Sequence, residues 1–352
     1  MNLEMLIEVL DSLEDDEYIT LTNPNIIFKE IEVEDGKVYK EIAIPKRLLK
    51  KIDYSNISFD NVCIRGLNFT GYMGVKIDPQ KVYKQDLRGC TFSGVEFDGS
   101  FDYTYMYDTN FAGSKGVRID PQRVYKKDLR GCTFFGVKFI GPFDGAKISR
   151  ANFTGSKGAL ISPQKIYYRD FRFCVLSGVI FIPEDYGMRS VFNIIGKFDG
   201  AYLFKTNFTG SMGARINPQK VIKRDLSGCI FSGVEFDGSF DGANISKTNF
   251  TGSRGAIINP QTVINKDLSG CTFSGVEFVG SFDGMKLDNA DFTGSKGAKI
   301  NPQTIYYDDL STCVLTDTEV MDIESIGIVK SETTNNETEI IIKDSKLMRK
   351  KN

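Results

Sequence analysis

Residues 258–300 read INPQTVINKDLSGCTFSGVEFVGSFDGMKLDNADFTGSKGAKI, and the spacing of the large apolar side chains in this stretch decides how the chain folds. They fall at Ile258, Val263, Leu268, Phe273, Phe278, Phe282, Leu287, Phe292 and Ile300, in steps of 5, 5, 5, 5, 4, 5, 5 and 8. Helices repeat every 3.6 residues and strands every two, so neither makes a step of five. A chain that buries one side chain every five residues, with Gly, Ser, Asn or Asp between, must turn a corner after each short extended piece. Four corners return it to its starting wall, so the eight inward residues of one 42-residue copy describe two turns of a four-walled coil.

The frame extends in both directions. Pro-Gln recurs at Pro79, Pro121, Pro163, Pro218, Pro260 and Pro302, with four intervals of 42 residues and one of 55. A fixed period marks a repeat architecture, and a motif present in every copy is architecture before it is chemistry. Each Pro follows Asp, Ser or Asn, a combination suited to a turn. The clearest five-residue units are Ala151-Asn152-Phe153-Thr154-Gly155, Ala243-Asn244-Ile245-Ser246-Lys247 and Ala290-Asp291-Phe292-Thr293-Gly294.

These units resemble the pentapeptide-repeat family, whose unit runs small residue, Asp or Asn, Leu or Phe, then two polar residues. The resemblance covers roughly residues 55–320. It implies an all-β fold, a right-handed quadrilateral β-helix, here a solenoid of about twelve coils on the order of 58 Å long at roughly 4.8 Å per coil. There are departures: Phe often replaces Leu at the centre, and Lys127, Arg169, Arg224 and Lys266 stand where the family has a small residue. The irregular steps near Ser-Phe-Asp-Gly and Gly-Ser-Lys-Gly predict bulges at those corners.

Three regions follow. Residues 1–54 form an N-terminal capping region, with helical spacing over residues 3–13 at Leu3, Leu6, Ile7 and Leu10, then a hairpin from Asn25–Val33 and Val38–Ile44 about Asp35-Gly36. Such a cap of mixed helix and strand covers an otherwise open strand edge. Residues 55–320 carry the repeats, and residues 321–352 hold a last strand at Glu337–Ile342 and a disordered basic tail ending Arg349-Lys350-Lys351-Asn352. The 55-residue copy has 13 extra residues between Phe181 and Phe198, an insertion near 182–197 that carries Tyr186, Met188, Val191, Phe192, Ile194 and Ile195. Those apolar side chains either fold back on a wall or meet a partner.

Charge is unevenly placed along the chain. The total is −2, but residues 77–299 sum to +7 while residues 1–76 sum to −5 and residues 300–352 to −4. Glu4 and Glu8 interrupt any secretory apolar run, and no stretch approaches the roughly 18 apolar residues of a membrane span, which predicts a soluble cytoplasmic protein without membrane contact. Asn-Phe-Thr at Asn68, Asn152, Asn207 and Asn249 then reads as repeat sequence and not as sugar sites.

The chain has no His, which removes the commonest general base and the usual metal sites. Cys90, Cys132, Cys174, Cys229, Cys271 and Cys313 each stand two residues before an inward centre and read as buried structural thiols. Cys63 is out of register and reads as the exposed thiol. Gly-Ser-Lys-Gly lacks the phosphate-loop spacing, and Asp86, Asp128, Asp170, Asp225, Asp267 and Asp309 recur at one outward position about two coils apart, beyond acid/base partnership. No catalytic residue, cofactor or metal is implied.

One wall carries more. Tyr83, Tyr125, Tyr167, Ile222, Ile264 and Tyr306 should form an outward stripe flanked by Lys81, Lys84, Arg123, Lys126, Lys165, Lys220 and Lys223. Aromatic and basic side chains together suit a protein or anionic partner. The reading is a non-enzymatic interaction scaffold that binds another protein through the insertion (Tyr186, Met188, Val191, Phe192, Ile194), through Tyr83, Tyr125 and Tyr167, or through a cap, which also offers a route to a homodimer. The resemblance implies a second class, DNA mimicry toward a type II topoisomerase. That role needs an acidic surface, which the +7 of the repeats opposes. Nucleic-acid or anion binding on the basic wall is the further alternative.

Overall fold

The computed structural model describes residues 1–33, 36–183, 196–302, 304–305 and 310–320. The expected strand at 337–342, the basic tail, Tyr306, Asp309 and the insertion residues Tyr186, Met188, Val191, Phe192, Ile194 and Ile195 lie outside them. The chain divides into two compact units, Met1–Ala159 and Leu160–Asn352. Among the described residues, regular structure is mainly short strand, with one α-helix and no closed barrel.

The first unit opens with helix α1 (Leu3–Ser12), which Asn2 caps by accepting the Met5 N–H at 2.8 Å. Leu6 and Leu10 are its buried stripe. At its far end Lys51 donates to the carbonyls of Leu10 and Leu13 at 3.3 and 2.7 Å, satisfying acceptors that a helix end leaves open. Strand β1 (Ile19–Thr20) pairs in parallel with β4 (Ile52–Asp53), and β2 (Phe28–Glu32) and β3 (Val38–Ile42) form the expected antiparallel hairpin. Lys40 of β3 then pairs in parallel with Val62, donating to Asn61 and accepting from Cys63. The hairpin thus covers the strand edge at Asn61–Cys63, as a cap should.

Beyond the cap the chain keeps returning alongside itself, and each return is here called a coil. Asn68, Thr91, Asn110, Thr133 and Asn152 form one parallel ladder, with alternating offsets of 23 and 19 residues. Lys76, Glu96 and Lys115 form a second, and Asp86–Tyr105 and Asp128–Lys147 belong to a third. The step of five has a direct cause: Cys90, Val95, Thr104 and Thr109 donate backbone N–H bonds to Leu87, Phe92, Phe101 and Met106, each three residues back and inward-facing. Every piece is therefore a short extended segment closed by a tight turn. Phe69, Phe92, Phe111, Phe134 and Phe153 stack inside, fully buried, with successive ring centroids 5.2–6.3 Å apart. That interval follows the strand spacing of about 4.8 Å, so backbone pairing and ring packing reinforce each other.

The second unit repeats the scheme. Asn207, Ile230, Asn249, Thr272, Asp291 and Val314 form its ladder, again with offsets of 23 and 19. All nine inward residues from Ile258 to Ile300 are buried. Where the 55-residue copy lies, Asp170–Tyr202, Val175–Asn207 and Ile180–Met212 pair at an offset of 32, which is 19 plus the 13 added residues. The addition leaves after Phe181 and returns by Gly196 without disturbing the register on either side. Short parallel strands with these offsets are compatible with a solenoid.

The recurrent Pro-Gln proves to be a stitch between coils. Each Pro is buried, and Asp78, Asp120, Asn217 and Asn259 accept the N–H of the Gln two residues on. The Gln side-chain amide then donates to two carbonyls of the next coil: Gln80 to Ser100 and Asp102, Gln122 to Pro142 and Asp144, Gln261 to Ser281 and Asp283. Gln164 makes the same pair of bonds to Lys197 and Asp199, beyond the added residues. Those carbonyls lie in the irregular Ser-Phe-Asp-Gly corner, where the inward step shortens to four.

Cys90, Cys132, Cys174, Cys229 and Cys271 are buried, while Cys63 and Cys313 are partly exposed. No described helix is long and apolar enough to cross a membrane.

Candidate functional site

Outward positions on the third ladder of the first unit run Asp86 and Arg88, then Tyr105 and Tyr107 one coil on, then Asp128 and Arg130, then Lys147. Because strand side chains alternate, residues two apart point the same way, so Asp86 and Arg88 share a face. Arg88 uses that proximity. Its Nε donates to Asp86 Oδ1 at 2.8 Å and its Nη2 to Oδ2 at 2.5 Å, and Arg130 grips Asp128 identically at 2.8 and 2.6 Å. Each guanidinium also lies over a tyrosine of the intervening coil, Arg88 at 5.0 Å from the Tyr105 centroid and Arg130 at 5.1 Å from that of Tyr107. A bidentate carboxylate and an aromatic face together fix an otherwise flexible arginine.

Tyr125 packs on Tyr105 with ring centroids 4.0 Å apart, and its ring carries the Lys126 ammonium at 5.2 Å. The hydrogen bond from Tyr105, and then the charge of Lys126, hold the Tyr125 phenol below its usual value, while the same bond pushes Tyr105 up. Around these groups lies a cleft of about 330 Å³ lined by Arg88, Tyr105, Met106, Tyr107, Tyr125, Lys126, Asp128, Arg130 and Lys147.

Of the expected stripe, the structure brings Tyr125 to this cleft. Tyr83 stacks instead on Tyr39 of the cap at 4.3 Å, with Lys84 at 5.0 Å over its ring. Among the described residues three of the seven flanking cations are held in ion pairs: Lys81 with Asp78, Arg123 with Asp102 and Asp120, and in the second unit Lys220 with Asp199. Lys127 and Lys266, at the position expected to be small, reach back to Gln122 and Gln261 and the next coil's carbonyls. They reinforce the stitch.

The second unit holds a related cluster. Arg172 grips Asp170 at 2.9 and 2.8 Å and lies 5.2 Å over Tyr202, Tyr167 packs on Tyr168 at 4.2 Å, and Phe173 meets Phe204 edge-on at 5.3 Å. Lys205 sits over both phenylalanines. Phe173 adopts φ +60° where the corresponding residues Gly89, Gly131, Gly228 and Gly270 also have positive φ. Tyr168 at φ +51° is 74% exposed where other copies have Lys126, Lys223 or Asn265. A separate cavity of about 270 Å³ is lined by Ser162, Pro163, Gln164, Ile182, Pro183, Lys197 and Asp199, at the mouth of the added residues.

Reading by copies could not find Arg88, Tyr105, Tyr107, Arg130, Arg172 or Tyr202, because no single one of these positions keeps its character in every 42-residue copy. For Arg88 and Arg172 the signal was there at the period of one coil, Asp-x-Arg and then Tyr-x-Tyr or Tyr-x-Phe one return later, whereas Asp128-x-Arg130 is followed by Lys147-x-Ser149 and finds its tyrosine, Tyr107, one return earlier.

Among the described residues no group of three or more His, Cys, Asp or Glu side chains is placed to hold a metal ion. The arrangement offers fixed positive charge beside aromatic faces, which is binding chemistry. Searches against protein-family models and against curated proteins returned no match for this chain.

Proposed function

We propose that this chain is a non-enzymatic interaction scaffold whose repeats form a right-handed quadrilateral β-helix of the pentapeptide-repeat type, and that it binds another protein in the cytoplasm. The alternating 19 and 23 offsets and the inward step of five support the four-walled coil. The observation that carries the binding role is the outward wall where Arg88 and Arg130 are each held between an aspartate and a tyrosine ring. Tyr and Arg are the side chains that dominate protein interfaces, and pre-fixing them lowers the ordering cost of association. Affinity purification from the native cell, with wild type beside a Tyr107→Ala, Tyr125→Ala, Arg130→Ala variant, tests this. The variant should lose a partner that the wild type retains; an unchanged partner set removes the wall from the proposal.

DNA mimicry toward a type II topoisomerase is the weaker reading, since the repeats sum to +7 and the wall is cationic. A supercoiling assay with gyrase showing inhibition or drug protection at micromolar protein would restore it. Nucleic-acid binding predicts an affinity that falls steeply with salt, and salt-independent or absent binding to DNA and RNA removes it.

A further inference from the structure

Resting on the reading of this wall as a partner-binding face, we infer that the cleft between Arg88 and Arg130 is an oxyanion site that takes a phosphate monoester, presented as a phosphorylated side chain of the bound protein. Counting Asp86, which Arg88 holds beside the lining, the cleft sets four cations, Arg88, Lys126, Arg130 and Lys147, against two carboxylates, the one in the lining being Asp128. That carboxylate is already engaged, both of its oxygens accepting from Arg130. What remains toward a ligand is positive.

The geometry of the arginines selects among anions. The flat edge of each guanidinium, Nε and Nη2, is the edge that suits a planar carboxylate side-on, and Asp86 and Asp128 occupy it. Nη1 of Arg88 and Nη1 of Arg130 make no hydrogen bond among the described residues, and the two side chains remain 35% and 44% exposed. A ligand must therefore meet end-on donors from different coils together with ammonium groups. A tetrahedral dianion with three strong acceptor oxygens meets donors from more directions, and with more charge, than a planar monoanion does. The volume, about 330 Å³, accommodates a phosphorylated side chain with adjoining backbone, and Tyr107 and Tyr125 supply apolar walls beside it.

The test is calorimetric titration of the full chain with four probes: inorganic phosphate, adenosine monophosphate, a short peptide with one central phosphoserine, and the same peptide with aspartate there. Wild type should bind the phosphoserine peptide at least tenfold more tightly than the aspartate peptide, and inorganic phosphate should compete. Arg130→Ala and Lys126→Asn should each weaken it at least fivefold, with Arg172→Ala in the second unit unchanged. Asn265 stands at the Lys126 position in another copy, so that variant keeps a tolerated backbone. Tighter binding of adenosine monophosphate than of the phosphopeptide supports the phosphate site but assigns it to a free ester. No heat with any phosphate probe, equal binding of the aspartate peptide, or an Arg130→Ala variant indistinguishable from wild type overturns the inference. A protein partner lost on mutating the wall, yet indifferent to phosphatase treatment, separates failure of this site from failure of the scaffold role.

Discussion

The side-chain amide of Gln122 donates to the backbone carbonyl of Asp144 at 2.7 Å, tying one coil to the next at the corner where the repeat is irregular. The same amide reaches Pro142 at 3.0 Å, and Lys127 joins by donating to Gln122 Oε1 and to Asp144. Gln122→Ala removes two donors and leaves Lys127 without one acceptor. The expected cost is about 1–2 kcal/mol in chemical denaturation. A variant as stable as wild type would show that the recurrent Gln does not hold the corner.

The inner aromatic column should carry far more. Phe111 and Phe153 are fully buried and each touches neighbouring rings above or below. Either one changed to Ala should cost about 3–5 kcal/mol by leaving a cavity, while Tyr168→Ala, at an exposed site, should stay within about 0.5 kcal/mol. Thermal melts of the three variants side by side give the comparison; similar losses for all would contradict the assigned inward face.

Phe173 holds a left-handed conformation that costs a non-glycine residue about 1–2 kcal/mol. Phe173→Gly relieves that strain but removes the contact with Phe204 and Lys205. Stability should change by less than about 1 kcal/mol, since relief and lost packing oppose each other. By contrast Gly116→Ala combines positive φ with a Cβ that would clash with the Phe97 carbonyl oxygen, and should destabilise clearly. An unfolding midpoint for Gly116→Ala equal to that of Phe173→Gly would refute this account of the corners.

Thiol chemistry should divide the cysteines. Burial pushes the Cys90, Cys229 and Cys271 thiols up to about 12, and each donates to a carbonyl, Ile64, Leu203 and Ile245 respectively. Native alkylation at neutral pH should therefore label Cys63 and Cys313 first, with the rest modified only in denaturant. Because the folded values are raised, the stability these groups contribute is complete below the ordinary value of 9.0 and is lost as pH rises toward about 12. Peptide mapping after brief alkylation, and urea midpoints on the alkaline side, check both statements.

At the acid side the sign reverses. Asp241 is held below the ordinary carboxyl value of 3.8 by the Thr262 and Ser239 hydroxyls, Asp283 by Thr304 and Ser281, and Asp53 by Ser55. Depressed values mean a contribution present above 3.8 and lost as pH falls through the folded values. With no His in the chain, the urea midpoint should be level from roughly pH 5 to 8 and fall below about 4. A step inside the level range would require a titrating group that these residues do not supply.

The inward set was legible because burial repeats in steps of mostly five residues and a large apolar side chain at those positions admits one reading; the nine such positions from Ile258 to Ile300 are all buried as the spacing requires. The first helix and the hairpin were legible too, since an Asn-capped amphipathic helix and a hairpin carry local signals at Asn2–Ser12 and Phe28–Ile42. The meaning of Pro-Gln was not, because the partners of Gln122 lie 20 and 22 residues away at backbone carbonyls that have no sequence signature.

Local spacing, then, determined which side chains turn inward, where the chain bends and where an extra 13 residues could enter. Only the tertiary structure decided that Arg88 lies over Tyr105 and Arg130 over Tyr107, and that Tyr125 joins them at one cleft. The reason is the unequal pair of offsets. A 42-residue copy contains one return of 19 residues and one of 23, so side chains that meet on the outer wall come from different halves of the repeat, and their register is set by strand pairing between coils.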